Sequence, residues 1–314
     1  MYHDYSMEKI LDHIRTCKRK KLILDTDTYN EIDDQFAITY AMLAEDVDLL
    51  ALTAAPFVNQ RASTVEEGME KSYDEMVRVR DFIDPDGTRN IPCCRGSRHY
   101  MKNIISPEPS EAAENIVRIV KEADDIVYIA VIGCYTNVAS ALLLDPSIMD
   151  KAVILMIGAN KFERVDANEF NLAQDRAAAR VIFECGVPLV VLPAMDCTER
   201  LYMTNGEVMY YFWNKAGKIG NYLCTIFNND EHFPDDEENN CFSRQRSIWD
   251  IGSIAFLRKA EKLCNVNIVP ARTIDAQGMW RDLNDSRKMI YVDWFRRNEV
   301  LSDFYTVVRK ANLK

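Results

Sequence analysis

The residues best able to do chemistry are concentrated in one stretch, KLILDTDTYNEIDDQFA, residues 21–37. Five acids, Asp25, Asp27, Glu31, Asp33 and Asp34, fall within ten residues directly after an apolar run. Carboxylates at this density repel one another, and burying them unpaired is costly. A hard divalent cation relieves that repulsion, and all-oxygen donors favour calcium or magnesium. The competing reading is a helix cap, since an acid at a helix start often only satisfies backbone N–H groups and complements the dipole. Three further stretches carry polar groups beside apolar segments: Ile132-Gly133, which offers a backbone carbonyl; Asn168-Glu169-Phe170-Asn171; and Trp249-Asp250, inside IWDIGSIAFL. Viewed alone, Glu169 and Asn171 read as caps. Asp250 reads as an exposed or salt-bridged residue, or as a buried acid that requires a partner.

The elements that must position these residues follow from apolar patterning. Residues 22–24, ending at Asp25, read as a buried parallel strand, and the acids lie at its C-terminal end. Residues 33–45, with Phe36, Tyr40 and Leu43 at helical spacing, read as an amphipathic helix with Asp33 and Asp34 in its first turn. Strands are expected at 47–55, 126–132, 152–158 and 187–192, and helices at 7–16, 63–79, 110–123, 136–144 and 172–185. Such alternation signifies βαβ units and a mainly parallel central sheet with helices on both faces. Open sheets of this kind bind ligands beyond the carboxyl ends of their strands. Further on, residues 205–228 read as a helix interrupted near Gly217 and Gly220, and residues 230–238 as an acidic solvated loop. A helix at 247–263, strands at 266–271 and 289–292 and a helix at 294–311 follow. No linker, repeat or low-complexity stretch divides the chain, so it reads as one α/β domain, 1–314.

The sequence has 314 residues, 48% of them hydrophobic, and a net charge of −11. That balance argues against nucleic-acid and anionic-membrane partners. Nine cysteines without a CxxC fit reduced thiols in the cytoplasm. The N-terminal segment lacks the apolar core of a signal peptide, and no run approaches a membrane span. Gly-rich phosphate loops and a GxSxG elbow are absent, and the four histidines, His3, His13, His99 and His232, do not form a zinc pattern.

Four segments in order carry a family resemblance. DTDTYNEIDDQFA is similar to the DxDxGxDDxxA motif of the inosine/uridine-preferring nucleoside hydrolases, GCYTNVA at 133–139 to their GxxTNxA, NEFN at 168–171 to their EFN segment, and Trp249-Asp250 to their late aspartate. The resemblance implies hydrolysis of a ribonucleoside's N-glycosidic bond, one bound calcium, and a homodimer or homotetramer. By matching position, Asp27, Asp34, Asp250 and the Ile132 carbonyl would hold the metal, while Asp33, Glu169 and Asn171 would hold ribose hydroxyls. Calcium would lower the pKa of a bound water and Asp27 would take its proton. Trp249 stands where uridine-accepting members carry histidine, which resembles the purine-preferring branch and its stacking tryptophan; plain core packing is the other reading. Tyr100, His99 or Met101 is expected on the opposite wall, Asn59 near the sugar, and His232 as a possible acid. The chain departs from the motif in having two extra residues between Asp27 and Asp33. Two rivals follow: a magnesium-dependent haloacid-dehalogenase-type phosphatase, with Asp25 of DTDTY as nucleophile, and a calcium-dependent nucleoside binder without turnover.

Overall fold

A computed structural model describes residues 6–228 and 242–313. Its strands are β1 (Lys20–Thr26), β2 (Val47–Ala54), β3 (Cys93–Cys94), β4 (Val127–Val131), β5 (Ala152–Ile157), β6 (Leu189–Leu192), β7 (Tyr202–Thr204), β8 (Gln245–Ser247), β9 (Cys264–Pro270), β10 (Arg272–Ile274), β11 (Trp280–Asp282) and β12 (Lys288–Phe295). Its helices are α1 (Met7–Thr16), α2 (Asp33–Leu43), α3 (Val65–Ile83), α4 (Glu111–Glu122), α5 (Thr136–Leu144), α6 (Phe170–Gln174), α7 (Arg176–Glu184), α8 (Asn205–Phe212), α9 (Gly217–Asn228), α10 (Ile251–Leu263) and α11 (Arg297–Arg309).

Eight strands form one sheet in the order β3-β2-β1-β4-β5-β6-β12-β9. All neighbours are parallel except β12 and β9, which are antiparallel. The chain runs outward from β1 through β2 to β3, then returns to β4 on the other side of β1. That reversal opens a crevice beyond the carboxyl ends of β1 and β4, where open α/β sheets keep their ligand sites. Strands covered on both faces have no need to alternate, and β4 and β5 are buried throughout. One apolar core includes the Phe36, Phe212, Phe227 and Phe304 rings of α2, α8, α9 and α11; the other lies beneath α4, α5 and α7.

Three local expectations are corrected. The helix α2 is not amphipathic: all eleven residues are buried, because α3, α10 and α11 close over its outer side. The helix expected over 172–185 is two, since Asp175 ends α6 and caps α7 by accepting from Ala178 N at 3.0 Å. The last helix begins at Arg297 because β12 continues through Phe295. The β10–β11 hairpin was not expected. The break before Gly217 is present, with Gly217 at φ +66° opening α9, whereas Gly220 lies within that helix. The acidic loop and His232, like His3 and Cys241, lie outside the described residues.

Candidate active site

The acidic stretch divides into a scaffold residue and a cluster. Asp25 is fully buried on β1, where Oδ1 accepts from Thr53 Oγ1 at 2.6 Å and Asn137 Nδ2 at 2.9 Å. Burial raises its carboxyl to about 7 despite those donors. Asn137 also donates to Ala54 O at 3.0 Å and accepts from Ser97 N at 2.8 Å. The Asp25–Asn137 contact therefore joins β1, the end of β2, the loop at Ser97 and the start of α5. Asp25 is fully buried and is not among the residues that line the acidic cavity, which is not the placement that the phosphatase reading requires of a nucleophile.

Asp27, just past β1, and Asp33 and Asp34, in the first turn of α2, enter a cavity with Asp250, which immediately precedes α10. One oxygen from each of Asp33, Asp34 and Asp250 lies within 4.8 Å of the other two. Thr26 Oγ1 donates to Asp34 Oδ1 at 2.5 Å, and Thr28 Oγ1 stands 2.8 Å from Thr26 Oγ1. Asp27 Oδ2 has no hydrogen-bond partner. The four carboxyls are all raised: burial is the first cause, and for Asp27, Asp33 and Asp250 mutual repulsion is the next. Asp34 rises to about 7. Among the described residues, no lysine, arginine or histidine lines the cavity. A buried set of four acids with oxygen donors and an orphaned carboxylate oxygen fits a hard divalent cation.

Residues beyond β4 and β5 form the facing wall. Asn171 Nδ2 donates to Ile132 O at 2.8 Å. Glu169 caps α6, with Oε2 accepting from Asn171 N at 2.9 Å and Oε1 from Leu172 N at 2.6 Å. Oε1 also accepts from Ala159 N at 3.1 Å and the Tyr135 hydroxyl at 3.3 Å. The cap and the site are thus one arrangement, because the bonds that satisfy the helix hold the carboxylate at the cavity. Two glycines allow the approach. A Cβ on Gly133 would lie 3.0 Å from Asp27 Cβ and Cγ and 2.8 Å from Ala55 Cβ. At Gly158, φ is +138° and a Cβ would lie 1.9 Å from the Tyr135 hydroxyl. Trp249, half-buried, lines the same cavity with Phe170, Ala194 and Met195.

The family model described as inosine-uridine preferring nucleoside hydrolase matches residues 22–292. The chain belongs to that family. Similar proteins include a probable uridine nucleosidase 2 of Arabidopsis thaliana, 29% identical over 66% of this chain and 69% of the relative. Another is the pyrimidine-specific ribonucleoside hydrolase RihB of Escherichia coli K12, 25% identical over 67% of this chain and 70% of the relative. A solved purine-preferring ribonucleoside hydrolase from Gardnerella vaginalis shares the fold, with a TM-score of 0.72 and 20% identity over 94% of this chain and all of that one.

In this nucleoside hydrolase, Asp27, Asp33, Asp34, Ile132, Glu169, Asn171, Trp249 and Asp250 all line one cavity. Asn59, expected near the sugar, is not among the lining residues. Its Nδ2 donates to Asn30 Oδ1 at 2.8 Å and its Oδ1 accepts from Arg61 N at 2.7 Å, so it braces a loop instead. Tyr100, His99 and Met101 are also absent from the cavity wall: the Tyr100 hydroxyl donates to Gln174, His99 is exposed, and Met101 N donates to Asp175 at 2.9 Å. The wall the sequence reading missed is Asn30, Ile157, Phe170, Ala194 and Met195. Phe170 sits inside the NEFN segment, and Ala194-Met195 follow β6, so the strand-end rule could have found them. Among the described residues, none of the eight cysteines is disulfide-bonded and no helix is long and apolar enough to cross a membrane.

Proposed function

We propose that the protein hydrolyses the N-glycosidic bond of ribonucleosides, purine nucleosides foremost, with one calcium ion held by Asp27, Asp34, Asp250 and the Ile132 carbonyl. The observation that carries this reading is the convergence of four buried acids, from the end of β1, the first turn of α2 and the start of α10, on a cavity that among the described residues has no cationic side chain. A bound calcium supplies positive charge that neutralises the carboxylates, orients ribose hydroxyls and makes an adjacent water more acidic. Asp27 Oδ2, which lacks a hydrogen-bond partner, accepts a proton from the attacking water. The water oxygen bonds to ribose C1′ as the bond from C1′ to the base nitrogen breaks, and the electron pair leaves with the base, which takes a proton from solvent.

Asp33, Glu169 and Asn171 bind the ring hydroxyls. Glu169 is suited to this because four donors already fix its orientation, so little freedom is lost on binding. The ring develops oxocarbenium character, which the surrounding carboxylates stabilise. The half-buried Trp249 at the cavity wall supports purines, whose larger π-face gains more from stacking.

The test is metal analysis of the purified protein followed by assay of free ribose from a nucleoside panel. Calcium at one equivalent, with release faster from inosine than from uridine, is the expected result. Absence of ribose release from every nucleoside would leave the binder without turnover as the better description.

A further inference from the structure

The geometry points to Glu31 as the residue that selects the base, by accepting a hydrogen bond from an N–H on the base's outer edge. This rests on the proposed reading that the sugar occupies the acidic floor. The loop carrying Glu31 is pinned at every other residue. Thr28 is buried against Thr26. The Tyr29 carbonyl accepts from Arg61 Nη1 at 3.3 Å, and its ring faces the Arg61 guanidinium at 5.7 Å and the Lys71 ammonium at 5.9 Å. Asn30 N donates to Asp27 O at 2.7 Å, its Oδ1 accepts from Asn59, and Ile32 is buried. Glu31 alone is exposed. It lines the cavity, and among the described residues its carboxylate makes no hydrogen bond or ion pair.

The position of Glu31 relative to the substrate follows from the floor. A carboxylate oxygen of Asp33 and one of Asp250 lie within 4.8 Å of each other. Glu31 lies two residues before Asp33 and Trp249 one before Asp250, and both line that cavity. Phe170, 40% exposed, and Met195 line the same cavity. The outer wall therefore combines aromatic and thioether surface with one charged acceptor. With ribose hydroxyls on Asp33, Glu169 and Asn171, the base is the part of a nucleoside left to meet this rim. Rings supply affinity for any base, whereas a carboxylate discriminates, because it gains only from bases that present an N–H.

Steady-state kinetics of the calcium-loaded wild type and Glu31→Ala on two substrates test this. Inosine carries a ring N–H at its outer edge, and purine riboside carries none. The substitution should raise KM for inosine roughly ten- to hundredfold, the range for losing a hydrogen bond to a charged group. KM for purine riboside should stay within about twofold, since an exposed side chain contributes little to folding. Equal losses on both substrates, or no loss on either, would overturn the assignment while leaving hydrolysis intact. No base release by the wild type from either nucleoside would instead sink the hydrolase reading and the base-selecting role with it.

Discussion

Asp27 and Asp34 are separated by seven positions and share one cavity, yet their surroundings assign them different work. Asp34 is held by the Thr26 hydroxyl at 2.5 Å and contributes to the cluster of three oxygens within 4.8 Å. On the proposed reading, removing it would delete a donor from the cation's shell and leave its neighbours repelling one another. Asp34→Ala is therefore expected to purify without its metal, as read by elemental analysis, and without activity. Among the described residues Asp27 Oδ2 has no hydrogen-bond partner, as the proposed role of proton acceptor requires. Asp27→Asn keeps the shape and an oxygen donor but cannot act as a base. It should retain nucleoside binding by calorimetry and lose roughly 100- to 10,000-fold in kcat. Turnover near the wild-type rate in Asp27→Asn would transfer the base role elsewhere.

Elements bring these residues together, among them the end of β1 and the turn after β4. Gly133 leaves Asp27 its space, since a Cβ there would lie 3.0 Å from two Asp27 atoms and 2.8 Å from Ala55 Cβ. Gly133→Ala should cost about 1–3 kcal/mol of stability, as overpacking does. The larger effect should be on kcat, because the displaced group is the proposed base; thermal melts and ribose assays on one preparation separate the two. An alanine variant with normal kcat would mean that Asp27 has room to move. The glycine was legible in GCYTNVA as part of a motif, and so were the strand before Asp25 and the helix beginning at Asp33. In each case a local apolar run meets a change of residue type, which is information carried by neighbours in sequence. The complete burial of α2 was not legible, because its outer cover comes from α10 and α11, more than 200 residues away. Nor was the wall at Ala194-Met195, where small or apolar residues carry no chemical signature and only the position of β6 makes them part of the site. The contacts of Asn59 were not legible either, because nearness to β2 in sequence does not say which way a turn points its amide.

At the scale of the molecule, the fold stores acid repulsion in a crevice at the reversal between β1 and β4, and that has a consequence for pH. Asp25 and Asp34 are raised from 3.8 to about 7 by burial, and Asp27, Asp33 and Asp250 are raised as well. A carboxyl whose pKa is higher folded than unfolded binds its proton more tightly in the native state. Its contribution to stability is complete below the unfolded value of about 4 and is lost as pH rises through the folded value near 7. The metal-free protein should therefore melt at progressively lower temperature from about pH 5 to about pH 8, a direction opposite to that of proteins stabilised by salt-bridged acids. On the proposed reading calcium would compete with protons for three of these five carboxyls, Asp27, Asp34 and Asp250, so its affinity should rise with pH. The increase in melting temperature on adding calcium should accordingly be larger at about pH 8 than at about pH 5. Asp34→Asn, which cannot ionise at that position, should flatten the metal-free slope. A metal-free melting temperature that climbs with pH across this range would mean that the acids are compensated within the protein, and that the crevice was not built around a cation.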